Sequence, residues 1–405
     1  MYGYACDKAY YQKNSGFHIL LLYFDDDIKI YIEKLHLSCI LRVYQINDGI
    51  VLDFRLVLSK ILSIDGGGIR GIIPAKILCD LEEEAIKKDG PNARLCDYFD
   101  LICGTSTGGI IAIGLALGMT AKEILDLYME HAKEIFPSKS IISAVLRNKS
   151  FYNRECLANL LKENYGKFSR SKDTRIFHCK TRLCIPAYDL DKGSVHVYKT
   201  DHLPQYHRDC HIPAVDVALA TAAAPVYFSP YTFSYNDINT TNRNTILNNV
   251  DGGVLANNPS LIGLTEALFC IGHPIDNIEL LSLGTGSINL KEKKAKKKMG
   301  ARYWLYPGRK QGLRIYELMS SAQSIYIDNM MKISCKGPGC SSYNRFNYIR
   351  IQKELDYNIP LDATDDDILT SLSSIGQELY KENGEKLRPF LNNKITSYKH
   401  FANIK

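Results

Sequence analysis

No stretch of this 405-residue sequence comes near the ~20 consecutive apolar residues that a membrane-crossing helix requires. The best candidate, HILLLYF at 18–24, is far too short and runs straight into three aspartates. The amino terminus, MYGYACDKAYYQKNSG, lacks a basic segment followed by an apolar one, so export is not expected and a cytoplasmic location is. Tryptophan occurs once, at position 304, and no internal repeat is visible. Apolar residues nevertheless make up 45 % of the chain, enough for a substantial core in one large domain or two ordinary ones.

Cysteine is not scarce, at twelve, but it is scattered through apolar segments such as LICG and LFCIG, the pattern of reduced, buried thiols. The two C-x4-C pairs, Cys179/Cys184 and Cys335/Cys340, are too loosely spaced to make zinc the expectation. No metal and no cofactor is expected. The net charge of +6 is uneven, because Lys291 to Arg314 holds ten basic residues against one acidic and leaves the remainder near −3. A solvated loop explains that segment. So does a patch that attracts anionic lipid headgroups while Tyr303, Trp304 and Tyr306 sit at the interface. Nothing resembling a nucleic-acid recognition module accompanies these charges, so nucleic acid is not an expected partner.

Residues 1–57 alternate with period two in places and contain an Asn-Asp-Gly turn, which predicts one or two extra strands of unassigned role. From 58 onward strand-like and helical patterns alternate. LVLSKILSID reads as a buried strand, IIPAKILCDLEEEAIKK as an amphipathic helix, YFDLICG as a strand and TGGIIAIGLALG as a small-residue helix. Thr120 and Glu123 form a capping box ahead of the helix AKEILDLYMEHAKEIF. RIFHCKTR and GSVHVYKT read as strands, PAVDVALATAAAP as a helix, and the chain after NIELLSLGTG as largely helical or looped. Such alternation implies an α/β fold with a mostly parallel sheet.

Gly66, Gly68 and Gly71 satisfy the dinucleotide pattern G-x-G-x-x-G between a strand and a helix. That reading requires a second strand ending in an acidic residue about twenty positions later. Residues 76–90 are instead a charged helix, and the next strand ends in GTSTG. Three consecutive glycines followed by Arg70 fit a helix N-terminus that cradles a small oxyanion. GTSTG at 104–108 is G-x-S-x-G between strand and helix, the context in which a serine becomes a nucleophile on a sharp elbow. Gly104 and Gly108 leave room for the turn, and Ser106 stands at a helix N-terminus. A serine nucleophile needs a proton acceptor. Of ten histidines, only His273 and His400 lie beyond the late aspartates, and neither sits at a glycine-rich strand end. The conspicuous acid is Asp251, which closes an apolar strand before two glycines.

The segments DGGGIRG (65–71), GTSTGG (104–109), ATAAAPVYF (220–228), DGGVLANNP (251–259) and LSLGTG (281–286) occur in the order of the patatin-like phospholipases, which the chain resembles over about residues 58–380. The resemblance implies a three-layer patatin-like fold: a mostly parallel central sheet flanked by helices, with a largely helical C-terminal region. It divides the chain into an N-terminal extension (1–57), a catalytic domain (58–290) and a basic loop with a helical part packed on that domain (291–405). It further implies a Ser–Asp dyad without histidine, Ser106 as nucleophile and Asp251 as proton acceptor. Gly66, Gly67 and Gly68 would form the oxyanion hole, with Arg70 in support. The expected substrate is a phospholipid or galactolipid, reached by transient membrane contact. The alternative is a catalytically silent lipid- or nucleotide-binding protein on the same scaffold.

Overall fold

The computed structural model describes the chain apart from residues 1–7, 15–16, 25–26, 34–38, 47–48, 57–58, 138–148, 241, 288–299, 301–302, 305–312, 337–343, 396–397 and 403–405, with the backbone alone over 8–56. The chain divides into two units, Met1–Leu58 with His273–Asn277, and Ser59–Gly272 with Ile278–Lys405.

Among its described residues the first unit contains five strands where the sequence pattern predicts one or two. β1 (Lys8–Asn14), β2 (Phe17–Phe24) and β3 (Asp27–Glu33) form an antiparallel meander. β4 (Cys39–Ile46) and β5 (Gly49–Leu56) pair antiparallel, with Ile46 opposite Gly49. Alternation shows clearly in sequence only when one face is much more polar than the other, and FHILLLYF offers no such contrast.

The second unit is an α/β fold on an eight-stranded sheet. Its strands are β6 (Ser59–Ile64), β7 (Leu101–Gly104), β8 (Arg182–Asp189), β9 (Ser194–Lys199), β10 (Tyr231–Asn236), β11 (Arg243–Asp251), β12 (Ile278–Leu283) and β13 (Asn347–Ile351). The order is β10-β11-β8-β7-β6-β12-β13, with β9 also paired to β8. β8, β7, β6, β12 and β13 run parallel, whereas β9, β10 and β11 pair antiparallel at one side. Every residue of β6 and β7 is buried, as expected of strands covered on both faces.

Among the described residues the main helices are α1 (Ile72–Asp89), α2 (Thr107–Leu117), α3 (Ala121–Ile135), α4 (Glu155–Gly166), α5 (Ala214–Thr221), α6 (Ser260–Thr265), α7 (Arg314–Cys335) and α8 (Asp366–Leu387). α2 is buried along its whole length and packs across β6, β7 and β8, which small residues at 108, 109, 112, 114 and 116 allow. α1 packs on α3 and α8. The Thr120–Glu123 capping box forms, with Thr120 Oγ1 accepting from the Glu123 N–H at 3.1 Å and Glu123 accepting from the Thr120 N–H at 2.9 Å.

Two local readings are corrected. RIFHCKTR is not a strand. Ile176–His178 is a 3-10 turn, and the strand begins at Arg182, running through Pro186 with RLCIPAYD. Proline reads as a strand breaker, but it needs only a position that does not have to donate to a neighbour. The C-terminal region also supplies a strand, β13, whose short NYIRI run is too brief to show a period.

Candidate active site

The glycine loop, the serine elbow and the Gly-Thr-Gly turn follow β6, β7 and β12, all at the carboxyl end of the parallel sheet, where open α/β sheets place their ligands. Asp251 arrives differently. β7 pairs with β8 only from Arg182 to Cys184, so β8 projects beyond the end of β7. The antiparallel β11 joins that projecting part, with Asp251 opposite Ala187. The last residue of an oppositely directed strand thereby lands level with the elbow.

Ser106 occupies φ 55°, ψ −122°, a backbone region that a residue with a side chain enters at a cost of about 1–3 kcal/mol. Its surroundings hold it there. The Ser106 N–H donates to Thr221 Oγ1 at 3.1 Å, and Thr221 Oγ1 donates onward to the Pro186 carbonyl at 2.6 Å. A side chain on Gly104 would overlap the Gly108 carbonyl, and one on Gly108 would overlap that of Ile64, so the sharp turn is open only to glycine at both places. Ser106 Oγ donates to Asp251 Oδ2 at 2.6 Å.

Asp251 is fully buried. Burial pushes its carboxyl up from the ordinary 3.8 to about 7, against the pull of the Ser106 hydroxyl, the Gly253 N–H (2.6 Å from Oδ1) and the Tyr316 hydroxyl. All three are neutral donors, and among the described residues no cation acts on this carboxylate. Its protonation equilibrium therefore lies near neutral pH, where a proton acceptor is most useful.

In the glycine loop the structure corrects one expected role and refines another. The Gly66 N–H is already spent on the Asn257 carbonyl at 3.0 Å, so Gly66 is not a free oxyanion donor. Its carbonyl accepts from Thr285 Oγ1 at 2.8 Å and Asn257 Nδ2 at 3.4 Å. The carbonyl of Gly67 accepts from the Arg70 N–H at 3.1 Å and Arg70 Nε at 3.4 Å. In a trans peptide the C=O and the following N–H point in opposite directions. Fastening these two carbonyls therefore turns the N–H groups of Gly67 and Gly68 the other way, and neither has an acceptor among the described residues. Arg70 is thus a brace behind the loop. Its Nη2 lies 3.1 Å from Glu317 Oε2 of α7, and both side chains are buried. Asp65 is a second anchor, gripped by Arg350 of β13 (2.8 and 2.6 Å) and by Ser324 Oγ of α7 (2.8 Å).

Two cavities flank the loop. Gly68 and Ser106 line a narrow apolar one, walled by Ile110, Phe136, Leu157, Tyr227 and Phe228. Gly66, Gly67 and Arg70 line a polar one, faced by Glu317, Ser320 and Ser324.

The sequence pattern points to Ser106, Asp251 and the glycines, and the fold gathers them into one site. It passes over Thr221, Asn257 and Thr285, which lie within the family segments and whose signal is only their neighbourhood. It also passes over Tyr316 and Arg350, which carry no local pattern. Histidines expected to be bystanders are engaged elsewhere, as in His202 with Glu266 (3.0 Å) and His400 with Asp201 (2.9 Å). The basic segment, with Tyr306, lies almost wholly outside the described residues. Tyr303 and Trp304 meet edge to face there, and Arg314 stacks over Tyr303 at 4.3 Å.

A family model for the patatin-like phospholipases matches residues 62–263, spanning the glycine loop, the elbow and Asp251. Patatin-like protein 2 of Oryza sativa subsp. indica is 34 % identical over 327 residues, covering 74 % of this chain and 77 % of the rice protein. This chain belongs to the patatin-like phospholipase family. A second family relative, the cGAMP-activated phospholipase of Vibrio cholerae, is 31 % identical over 349 residues, covering 80 % of this chain and 90 % of its own. Among solved structures, VipD from Legionella pneumophila overlays only loosely, at TM-score 0.38 and 14 % identity over 87 % of this chain and 71 % of VipD. As a patatin-like phospholipase the chain falls among lipid-hydrolysing proteins. No helix among its described residues is long and apolar enough to cross a membrane.

Proposed function

We propose that this patatin-like chain is a serine acyl hydrolase that cleaves fatty-acyl esters of membrane phospholipids or galactolipids through Ser106 and Asp251. The observation that carries the reading is the 2.6 Å hydrogen bond from Ser106 Oγ, on a strained elbow, to a buried carboxylate with no cation beside it among the described residues. A structural serine needs neither the strain nor the unneutralised acid.

In the first step Asp251 takes the Ser106 proton as Oγ bonds to the ester carbonyl carbon. The carbonyl oxygen becomes an oxyanion, which receives the N–H groups of Gly67 and Gly68. Collapse of this intermediate breaks the ester C–O bond, and the proton on Asp251 passes to the departing lysolipid alcohol. Water then gives a proton to Asp251 as its oxygen attacks the acyl-Ser106 carbonyl, and fatty acid leaves as the serine regains its proton. The fatty-acyl chain occupies the apolar cavity beside Ser106, where Phe136, Tyr227 and Phe228 shield it from water. Loss of one oxyanion donor from such a site costs about 10²–10³ in rate. The protein works at the surface of a membrane, reaching single lipids from outside.

The test is release of fatty acid from mixed lipid vesicles, followed by mass spectrometry, for the wild type and Ser106→Ala. The wild type should release fatty acid and bind a fluorophosphonate covalently at Ser106, and Ser106→Ala should do neither. A wild type that stays unlabelled and inert on every lipid class would be a silent binder on a hydrolase scaffold.

A further inference from the structure

The apolar cavity beside Ser106 is small. The space it leaves for water-sized molecules is about 50 Å³, room for about four of them. A methylene group takes close to the ~30 Å³ of a water, so an acyl chain places about four carbons there beyond its carbonyl.

The wall that sets this limit is built to hold its shape. Phe136 and Phe228 line the cavity with ring centroids 6.2 Å apart. Tyr152 packs against both, edge to face on Phe136 at 5.3 Å and tilted on Phe228 at 6.1 Å. Its hydroxyl donates to Asp362 Oδ2 at 2.7 Å, and Arg154 lies over the Phe228 ring at 5.9 Å. The backbone is tied as well. The N–H groups of Phe151 and Tyr152 donate to the carbonyls of Val226 and Tyr227, each at 2.9 Å. Val226 has φ 74°, a region that a branched residue seldom enters. Strain of this kind persists where the surroundings impose it, and here it immediately precedes Tyr227 and Phe228, the two rings that enter the cavity.

We infer that Phe136 and Phe228 determine acyl-chain specificity, confining recognition to about the first five carbons of the chain, counted from the ester carbonyl. The inference rests on the proposed hydrolysis at Ser106 and adds how much of the acyl chain the site reads. Carbons beyond the wall stay outside the cavity and contribute nothing to selection.

The test gives the full chain p-nitrophenyl esters of acetate, butanoate, hexanoate and octanoate, each below the concentration at which it aggregates. Every methylene that enters the cavity should raise kcat/KM about fourfold. Butanoate should therefore exceed acetate roughly tenfold, while octanoate should match hexanoate within about twofold. Phe136→Leu and Phe228→Leu each open the wall and should raise the octanoate-to-hexanoate ratio to about fourfold or more. Leu157→Phe fills the same cavity and should bring the butanoate-to-acetate ratio below about threefold. A ratio measured on one preparation does not depend on the fraction that is folded, so a destabilised variant still reports. A wild-type rate that climbs about fourfold per methylene through octanoate overturns the inference. So does an octanoate-to-hexanoate ratio that neither leucine variant moves. A wild type inert on all four esters and unlabelled by a fluorophosphonate removes the hydrolase reading and this inference together. A labelled, active wild type with the wrong chain-length profile removes this inference alone.

Discussion

Two buried carboxylates in this protein are driven in opposite directions. Asp251 is surrounded by neutral donors, and burial lifts it to about 7. Glu266 is also buried, but Lys199 lies against its Oε2 at 2.5 Å and His202 against Oε1 at 3.0 Å, and these hold it down to about 2. Burial acts on both in the same sense, so the companions decide the outcome. Glu266 is fixed as an anion and pins strand β9 to the helical segment after α6. Asp251, with only neutral donors around it among the described residues, has its proton equilibrium raised toward neutral pH. What stands next to each carboxylate thus separates one held as an anion from one whose proton equilibrium lies near neutral pH.

The sharpest break of that comparison is Asp251→Asn. It keeps the shape and removes the proposed proton acceptor, and should lower kcat about 10³-fold in an ester assay. Its effect on stability should have the other sign. A carboxyl whose folded value is raised holds its proton in the native state while the unfolded chain has lost it, so stability falls as pH climbs from about 4 to about 7. Asparagine escapes that loss, and the variant should melt no lower than the wild type at pH 8 by calorimetry. In the wild type the same titration should appear as kcat/KM rising with pH to a plateau, with a midpoint near 7.

The counterpart is Glu266→Gln, which leaves Lys199 and His202 without their anion. Breaking a buried pair from one side costs about 3 kcal/mol or more, so the melting temperature should fall by several degrees with little change in kcat. Here the native-state value is depressed. The stabilisation is present above about 4.5 and disappears as pH falls toward 2, so the gap between wild type and variant should close over that window. A gap that persists at pH 2 would mean the pair is not its source.

Tyr316→Phe tests the neutral shell around Asp251. Loss of that hydroxyl donor should move the acid limb of kcat/KM to higher pH and lower the rate at pH 7 by roughly threefold to tenfold. The smallest effect is expected for Thr285→Val, which frees the Gly66 carbonyl. The neighbouring Gly67 N–H then loses its fixed aim, and kcat should drop by a few-fold at unchanged KM, about 1 kcal/mol.

The legible part of this site is the part made locally. A strained turn after a strand requires glycine two residues before and two after the serine, and a loop that presents successive N–H groups requires glycine as well. Ser106, Gly67 and Gly68 therefore show in the sequence. The exclusion of Gly66 is not legible there, because its N–H is consumed by a carbonyl 191 positions away. Tyr316 and Arg350 are silent for the same reason: their contacts with Asp251 and Asp65 exist only once α7 and β13 have packed. The strand at Arg182–Asp189 is misplaced by local pattern because its proline reads as a break, although in the sheet it stands where no donor is needed.

The sequence by itself determined the alternation of strands and helices, the capped start of α3, the elbow at Ser106 and the glycine cradle, since each depends on residues within one turn of one another. Only the tertiary structure decided that Asp251 meets Ser106, that its carboxyl titrates near neutrality, and that α7 turns Glu317 and Ser324 inward onto Arg70 and Asp65. Those outcomes depend on how far β8 projects past β7 and on which groups share a buried volume, and neither is written in neighbouring residues.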